Sequence, residues 1–424
     1  MELNGASPEQ LKEWEASLSA EYDAIKSKSL SLDLTRGKPS SEQLSLSNDL
    51  DGILNGNHTD DQGTDVRNYG GLDGIIGARK IGAEVLGLPV ENILAGGNSS
   101  LTLMHQTMMI ATQFGLAGAD SAWNKGESIK FICPVPGYDR HYSVCEHLGI
   151  EMINVGMDSN GPLMDEVEAL IASDKSIKGM WCVPKYSNPT GVVYSEDTVN
   201  RIAKLGKTAG EGFRVFWDNA YAIHDLSDTP PALANIFEAC QKEGTEDSVI
   251  QFASTSKVTF AGAGVAFIGA SQANLTGIKK ALSFMTIGPD KVNQLRHVKF
   301  FEADGALSKH MKKHAEIIKP RFASVLKHLD KAFGDNDLGE WESAEGGYFI
   351  SFDTRPGLAK TVVSLAGEAG VKLTPAGATF PYGKDPKDSN IRIAPTVPSV
   401  EQVEEAMEVF VVCVKLASVR QALS

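Results

Sequence analysis

Residues 177–221, IKGMWCVPKYSNPTGVVYSEDTVNRIAKLGKTAGEGFRVFWDNAY, contain two short apolar runs separated by a helix-like stretch. The first run ends in a turn-forming segment, Asn188-Pro189-Thr190-Gly191, and the second ends at Asp218. Between them, Ser195 and Glu196 are typical of the start of a helix. A strand, a helix and a second strand in this order predict a unit with parallel strands.

Similar apolar runs occur at residues 128–138, 248–257 and 264–271, and they alternate with helix-like segments. This alternation predicts an α/β fold with a mostly parallel sheet. Because ligands bind at the carboxyl ends of the strands in such sheets, the polar residues that follow the apolar runs are the candidate site.

The pattern changes near residue 290. Residues 295–329 predict one or two long helices, and two short strands (GGYFISF and NIRIAPT) and two further helices follow them. We therefore predict a large domain over residues 51–295, a smaller α+β domain over 296–424, and an N-terminal segment over 1–50 that packs with the small domain.

Composition excludes several classes of protein. The 424 residues carry 54 acidic and 40 basic side chains, for a net charge of −14, which disfavours binding to nucleic acid. The apolar runs are too short to span a bilayer, and the N-terminus lacks the apolar core of a secretory signal. The five cysteines are scattered and form no CxxC pair, which argues against a disulfide framework or a structural zinc site. We expect a cytoplasmic protein with no metal and no membrane or nucleic-acid partner.

Two motifs lack the residues that their usual sites require. Ser254-Thr255-Ser256-Lys257 matches the S-x-x-K element of serine transpeptidases, but their S-D-N and K-T-G elements are absent. His310 and His314 have a spacing that could bind a metal, but two lysines lie between them and no acid stands in the H-E-x-x-H order. We expect this histidine pair on a solvent-exposed helix face.

Four polar features lie within or directly after separate apolar runs: the Asn188 turn, Asp218 with Tyr221, Lys257, and Arg392. A neutral lysine amine forms Schiff bases with carbonyls, and a carboxylate that faces a pyridine nitrogen keeps that ring protonated. Asparagine and tyrosine can hydrogen-bond a phenolic oxygen, and arginine binds a carboxylate through two hydrogen bonds. Together these residue types suit pyridoxal phosphate (PLP) and an amino-acid substrate.

The ordered motifs N-P-T-G, D-x-A-Y and S-x-S-K, followed by a late arginine, resemble the class I aminotransferases, which are PLP-dependent enzymes of fold type I. The similarity runs from LDLTRGKP (residues 32–39) to the last helix. LDLTRGKPS, PKYSNPTG and STSKVTFAGAGVAF further resemble the type Ic aspartate aminotransferase subgroup. The resemblance implies helices on both faces of the large sheet, PLP as cofactor, a homodimer with shared active sites, and amino transfer from aspartate to 2-oxoglutarate by a ping-pong mechanism.

The resemblance also implies roles for individual residues. Lys257 would be the Schiff-base lysine and Asp218 the partner of the pyridinium nitrogen. Asn188 and Tyr221 would bind the phenolic oxygen. Arg392, helped by the Asn188 amide, would bind the substrate α-carboxylate.

The remaining roles concern the phosphate, the ring and the substrate. Asn98, Ser99 and Ser100 resemble the helix start that binds the phosphate, with Ser254 and Ser256 nearby. In the same way Tyr138 would stack on the ring, Tyr69 would reach the phosphate of the neighbouring subunit, and the Gly37 backbone would lie beside the substrate.

Two positions depart from the family pattern. An arginine that pairs with the phosphate is expected seven or eight residues after Lys257, where Gly264 and Val265 stand. The arginine that binds the distal carboxylate of aspartate is expected where Phe284 stands. Four cations could replace the second arginine: Arg36, Lys38, Arg140 and Lys185.

Other functions stay open from the sequence. Phe284 in the side-chain pocket would favour aromatic or aliphatic amino acids or 2-aminoadipate, and the same fold also supports PLP-dependent β-lyases. A regulator with an aminotransferase-like effector domain would carry an N-terminal DNA-binding domain. We expect no such domain in the segment before LDLTRGKP, which has only about 30 residues and is acidic overall.

Overall fold

A computed structural model of the chain describes residue 3, residues 5–126 and residues 128–424. The strands are β1 Leu32–Asp33, β2 Ile93–Ala95, β3 Lys130–Val135, β4 Glu151–Asp158, β5 Gly161–Pro162, β6 Ile177–Cys182, β7 Arg214–Asp218, β8 Val249–Ser254, β9 Ala266–Ala270, β10 Gly339–Trp341, β11 Ile350–Thr354, β12 Val371–Lys372 and β13 Asn390–Ile393. The α-helices are α1 Pro8–Ser27, α2 Ser41–Ser45, α3 Ile76–Leu86, α4 Ser100–Gln113, α5 Asp139–His147, α6 Met164–Ser173, α7 Glu196–Thr208, α8 Ile236–Glu243, α9 Gln272–Leu282, α10 Lys291–Phe300, α11 Ala306–Phe333, α12 Ala359–Glu368 and α13 Val400–Leu423.

The largest sheet has eight strands in the order β2-β9-β8-β7-β6-β3-β4-β5. Its central strands β8, β7, β6, β3 and β4 are parallel to one another, whereas β9 runs antiparallel to both β2 and β8. The carboxyl ends of β7 and β8 therefore meet at one edge, where Asp218 pairs with Phe252 in register. The predicted α/β fold is confirmed.

Helices cover both faces of this sheet because its strands are apolar on both sides. In β6, Met180 and Trp181 are both buried but pack into different apolar clusters, as the alternation of side chains along a strand requires. One cluster joins the sheet to α3, α6, α7 and α8, and the other joins it to α4, α5 and α9.

A second group of elements forms around the antiparallel sheet β10-β11-β13 and the helices α11, α12 and α13. The N-terminal part of the chain packs into the same apolar cluster: β1 pairs with β12, and the Tyr22 hydroxyl of α1 donates to the Leu365 carbonyl (2.9 Å). The domain limits at residues 50/51 and 295/296 stay predictions, and α10 runs across the second of them.

None of the described helices combines the length and the apolar character needed to cross a membrane. The five cysteines are buried free thiols. Among the described residues, no group of three or more His, Cys, Asp or Glu side chains is arranged to hold a metal ion.

Candidate active site

Lys257 lies in the turn that follows β8. Its Nζ is 5.0 Å from the ring centre of Tyr221 and 5.9 Å from that of Tyr348. Burial lowers the pKa of Lys257, and the nearby negative charge of Asp218 partly opposes this shift. The amine is therefore biased towards its neutral, nucleophilic form, as attack on a carbonyl requires.

Asp218 ends β7 and is almost completely buried. Its Oδ2 lies 2.9 Å from Nε2 of His141, while no described residue hydrogen-bonds its Oδ1. The His141 ring stacks on Trp181, with 4.1 Å between ring centres and 5° between planes. This packing fixes the imidazole and, through it, the carboxylate.

Asp218 Oδ1 provides a test of whether the site suits PLP. A buried carboxylate oxygen without a donor is costly, and a protonated pyridine nitrogen would supply the missing donor. Lys257, the second group that the cofactor requires, follows the adjacent strand. The residues present therefore fit the cofactor.

Two tyrosines and an asparagine lie in the same region. Tyr221 is 3% exposed, and burial, followed by the proximity of Tyr138 and Asp218, raises its pKa well above the ordinary value. Burial also raises the pKa of Tyr138 to about 12. Both phenols are therefore protonated at neutral pH and able to donate. Asn188 is 4% exposed, and its Oδ1 accepts a hydrogen bond from Arg392 (3.3 Å).

The predicted phosphate residues meet where β8 ends and α4 begins. Ser254 Oγ donates to Ser256 Oγ (3.1 Å), and Ser256 Oγ donates to the Asn98 carbonyl (3.1 Å). Ser99 caps α4 by accepting from the Thr102 amide (3.4 Å), and Ser100 is the first residue of that helix. A helix start with hydroxyl groups beside it is suited to an anion.

At Gly264, one of the two positions where the family has a phosphate-binding arginine, steric crowding explains why no arginine is present. A Cβ added to Gly264 would lie 3.0 Å from Thr255 Oγ1 and 3.1 Å from the Ser256 amide nitrogen. The backbone at Gly264 thus packs directly against the turn that carries Lys257, where little room remains for a side chain.

Arg392 lies in β13 and is 6% exposed. Its Nη1 donates to Asp139 Oδ1 (3.1 Å) as well as to Asn188, and its Nε donates to Thr374 Oγ1 (3.3 Å). Its guanidinium carbon is 4.8 Å from the ring centre of Phe349. The structure thus brings Arg392 together with Asn188.

Gly37 is held against the same arginine through Phe349. A Cβ on Gly37 would collide with the Phe349 ring, so glycine permits this close approach. The neighbouring Thr35 carbonyl accepts from Thr374 Oγ1 (2.8 Å), which itself accepts from Arg392. The segment around Gly37 is thereby connected to the arginine.

Tyr69 and Phe284 are not brought into the site of their own chain. Tyr69 is 86% exposed and Phe284 is 85% exposed. The loop of Tyr69 is nevertheless fixed, because Lys291 Nζ donates to the carbonyls of Asn68 (2.8 Å) and Gly70 (2.6 Å). An exposed tyrosine on an anchored loop is suited to contact another molecule.

The expectation for His310 and His314 is wrong. Both are buried, and the Nε2 atoms of the two rings lie 2.7 and 2.9 Å from the Val258 carbonyl oxygen. The face of α11 that carries them packs against the turn after Lys257, while Lys312 and Lys313 turn to the surface. Spacing along the helix could not show which face meets the rest of the protein.

Gln43 continues this network. Its Oε1 accepts from the Ser40 amide (3.0 Å), so its Nε2 is the donor to Tyr348 Oη (2.8 Å) and to Nδ1 of His314 (3.0 Å). His314 therefore carries its proton on Nε2 and donates it to Val258, and Tyr348 donates to the Lys257 carbonyl (3.3 Å). The hydrogen bonds from His314 and Tyr348 thus fix the backbone carbonyls of Val258 and Lys257.

Sequence reasoning missed several residues of the site: His141, Trp181, Asp139, Thr374, Phe349, Tyr348 and Gln43. A signal was available for His141, which stands three residues after Tyr138 on a predicted strand–helix junction. The others act through contacts between segments that are far apart in the chain.

Comparison with known proteins shows the family to which the chain belongs. Residues 6–424 match the family model described as aspartate amino-transferase. An aspartate aminotransferase of Corynebacterium glutamicum is 46% identical over 398 residues, covering 94% of this chain and 92% of the relative. A relative from Mycolicibacterium smegmatis is 47% identical over 406 residues, covering 95% and 94% of the two chains.

A solved structure supports the same assignment. The crystal structure of an aspartate transaminase from Corynebacterium glutamicum superimposes with a TM-score of 0.96 at 43% identity, covering 100% of this chain and 99% of that one. The predicted family and fold type are confirmed. The chain belongs to the aspartate amino-transferase family and is a transaminase.

Proposed function

We propose that this transaminase uses PLP to move the amino group of aspartate to 2-oxoglutarate. The main support for PLP is Asp218 Oδ1, which is buried and has no hydrogen-bond donor among the described residues. Asp218 ends the strand next to the one that precedes Lys257, whose lowered pKa favours the neutral amine. The family implies the same cofactor.

Each residue has a distinct task in this proposal. When bound, PLP supplies an aldehyde that carries the amino group and a ring that accepts the electron pair released at the substrate α-carbon. Lys257 Nζ would hold the cofactor covalently through its aldehyde carbon and, when free, would take a proton from the substrate α-carbon and return one. Asp218 would accept a hydrogen bond from the protonated ring nitrogen, and its negative charge would favour that protonated form.

The other cofactor contacts are polar and local. The Tyr221 hydroxyl and the Asn188 amide would bind the phenolic oxygen, and Tyr138 would cover the ring. Ser254, Ser256 and the segment Asn98–Ser100 would bind the phosphate, with the start of α4 supplying backbone N–H groups. The hydroxyls and the helix start would thereby serve in place of the missing arginine.

Arg392 would bind the substrate α-carboxylate. It is almost completely buried, stacked on Phe349 and fixed by Thr374, so its orientation is set before the substrate arrives. A planar guanidinium held in this way favours two parallel hydrogen bonds to a carboxylate, and the Gly37 backbone would lie beside it.

For the distal carboxylate we propose Arg140 as the first candidate among the four cations. Lys185 is engaged elsewhere, since its Nζ contacts Asp225 Oδ1 (2.6 Å) and donates to the Ala222 carbonyl (3.1 Å). Arg140 is exposed and follows Tyr138 and Asp139 in the chain. Its positive charge is close enough to Tyr138 to lower the pKa of that phenol, against the larger effect of burial. Arg36 and Lys38, on either side of Gly37, are the remaining candidates.

We further propose a homodimer in which Tyr69 serves the phosphate of the partner subunit. Large apolar side chains are exposed near the Tyr69 loop and α9: Phe114, Phe284, Met285 and Ile287. The loops come together where the Gly70 carbonyl packs on Gly288, and an exposed apolar surface of this kind is typical of an interface. We also propose a cytoplasmic location, which the free thiols of the cysteines support.

The substrate proposal is tested by kcat/KM for aspartate against phenylalanine, leucine and 2-aminoadipate. A cation at the distal carboxylate should favour aspartate over leucine by well over tenfold, since a hydrogen bond to a charged group contributes ~1.5–3 kcal/mol. Arg140→Gln should remove most of this preference, whereas Lys185→Gln should not. Equal or reversed preference in the wild type would refute aspartate as the substrate and leave the transaminase assignment intact.

A further inference from the structure

The surroundings of Arg392 contain one feature that substrate binding must change. Asn188, Thr374 and Phe349 are neutral, whereas Asp139 brings a full negative charge to within 3.1 Å of Arg392 Nη1. Among the partners that the described part of the chain provides to this guanidinium, Asp139 is the only carboxylate.

The two partners differ in how freely they can move. The Arg392 side chain is 6% exposed, whereas that of Asp139 is 33% exposed. Asp139 is the first residue of α5, where the partial positive charge of a helix N-terminus also favours a carboxylate. The aspartate can therefore leave the arginine and keep a favourable environment, whereas the arginine stays in place.

Two carboxylates cannot share one guanidinium nitrogen without repulsion. A substrate carboxylate that takes both hydrogen bonds of the Arg392 fork must therefore displace the Asp139 side chain. In the absence of substrate, Asp139 pairs with Arg392. Without this pairing the buried guanidinium would have no counter-charge, which would be strongly destabilising.

Building on the proposed function, we propose that Asp139 determines substrate affinity by occupying the substrate arginine until a carboxylate displaces it. Asp139 then lowers the affinity of every carboxylate that binds at Arg392, and its return to the arginine favours the release of product.

The test is the binding of succinate, an unreactive dicarboxylate, to the purified holoenzyme by titration calorimetry. Asp139→Asn and Asp139→Ala should each bind succinate at least about tenfold more tightly than the wild type, because each removes the competing charge. Asp197→Asn is the matched control, since Asp197 also lies in the first turn of a helix, α7, and it should bind like the wild type. In steady-state assays, Asp139→Asn should lower the KM for aspartate without raising kcat.

The outcomes separate this inference from the function on which it rests. If Arg392→Gln abolishes succinate binding but the Asp139 variants bind like the wild type or more weakly, the role of Asp139 is refuted and Arg392 remains the carboxylate site. If Arg392→Gln binds succinate as well as the wild type does, both proposals fail. Tighter binding in both Asp139 variants, lost when Arg392→Gln is added, supports the inference.

Discussion

Asp218 and His141 form a buried pair in which Nε2 of the imidazole lies 2.9 Å from one oxygen of the carboxylate while the other oxygen has no partner among the described residues. The pair joins the end of β7 to the first turn of α5, so the two elements orient the carboxylate together. The free oxygen is the atom that the cofactor would use.

Replacing Asp218 separates this role from folding. Asp218→Asn should leave the fold intact, because asparagine is nearly isosteric, but it should lower kcat by several orders of magnitude since the charge that stabilises the electron-rich ring is lost. Steady-state kinetics with aspartate and 2-oxoglutarate measure the effect on kcat. Asp247→Asn, at a carboxylate near the opposite ends of the strands, is the control, and a near-normal kcat in Asp218→Asn would assign the task to another group.

The histidines behind the lysine turn predict a dependence of stability on pH. Burial lowers the pKa of His314 to about 4 and that of His224 to about 3, so these rings bind protons more readily in the unfolded chain. Their contribution to stability is therefore present above pH ~6.5, the unfolded pKa, and is lost as the pH falls towards the folded values.

His314→Gln tests this contribution without a change of charge at neutral pH. Glutamine can still donate to Val258, so the variant should fold, but the loss of unfolding free energy between pH ~6.5 and ~4 should shrink by up to about 3 kcal/mol. Urea unfolding across this pH range measures it. An unchanged dependence of the unfolding free energy on pH in His314→Gln would refute the contribution of His314.

The exposed apolar surface predicts an interface between subunits. Phe284→Asp should shift sedimentation towards the monomer, because a charge cannot be buried there without a partner, and it should weaken PLP binding if Tyr69 of one chain serves the other. Leu423→Asp, at an exposed apolar residue on the C-terminal helix, is the control. A fully active Phe284→Asp monomer would refute shared sites.

The main fold could be predicted from the sequence because its signals are local. Each parallel strand that carries a site residue is a short apolar run, and Ser195 caps α7 as its sequence predicts. Strand β4 escaped prediction because Asn154 and Gly156 interrupt its apolar pattern. The very short strands β1, β5 and β12 carry too few residues for any pattern, and they form only through pairing with distant segments.

The site could be predicted only in part. Lys257, Asp218, Asn188 and Tyr221 follow apolar runs, so their neighbourhood follows from the topology of a parallel sheet. The ion pair of Arg392 with Asp139 joins residues 253 positions apart, and no local pattern indicates it. The predicted exposure of His310 and His314 is wrong for the same reason. Whether a polar helix face is buried depends on which distant segments pack against it.

In the proposed function, Lys257 carries PLP and releases it to an amino-acid substrate. Borohydride reduction of the purified protein, followed by peptide mass spectrometry, tests it directly. We expect the reduced cofactor on Lys257 alone, and we expect prior incubation with aspartate, without 2-oxo acid, to abolish this label because the amino group then resides on the cofactor. A label on another lysine, or a Lys257 label that aspartate leaves unchanged, would refute Lys257 as the lysine that exchanges PLP with the substrate.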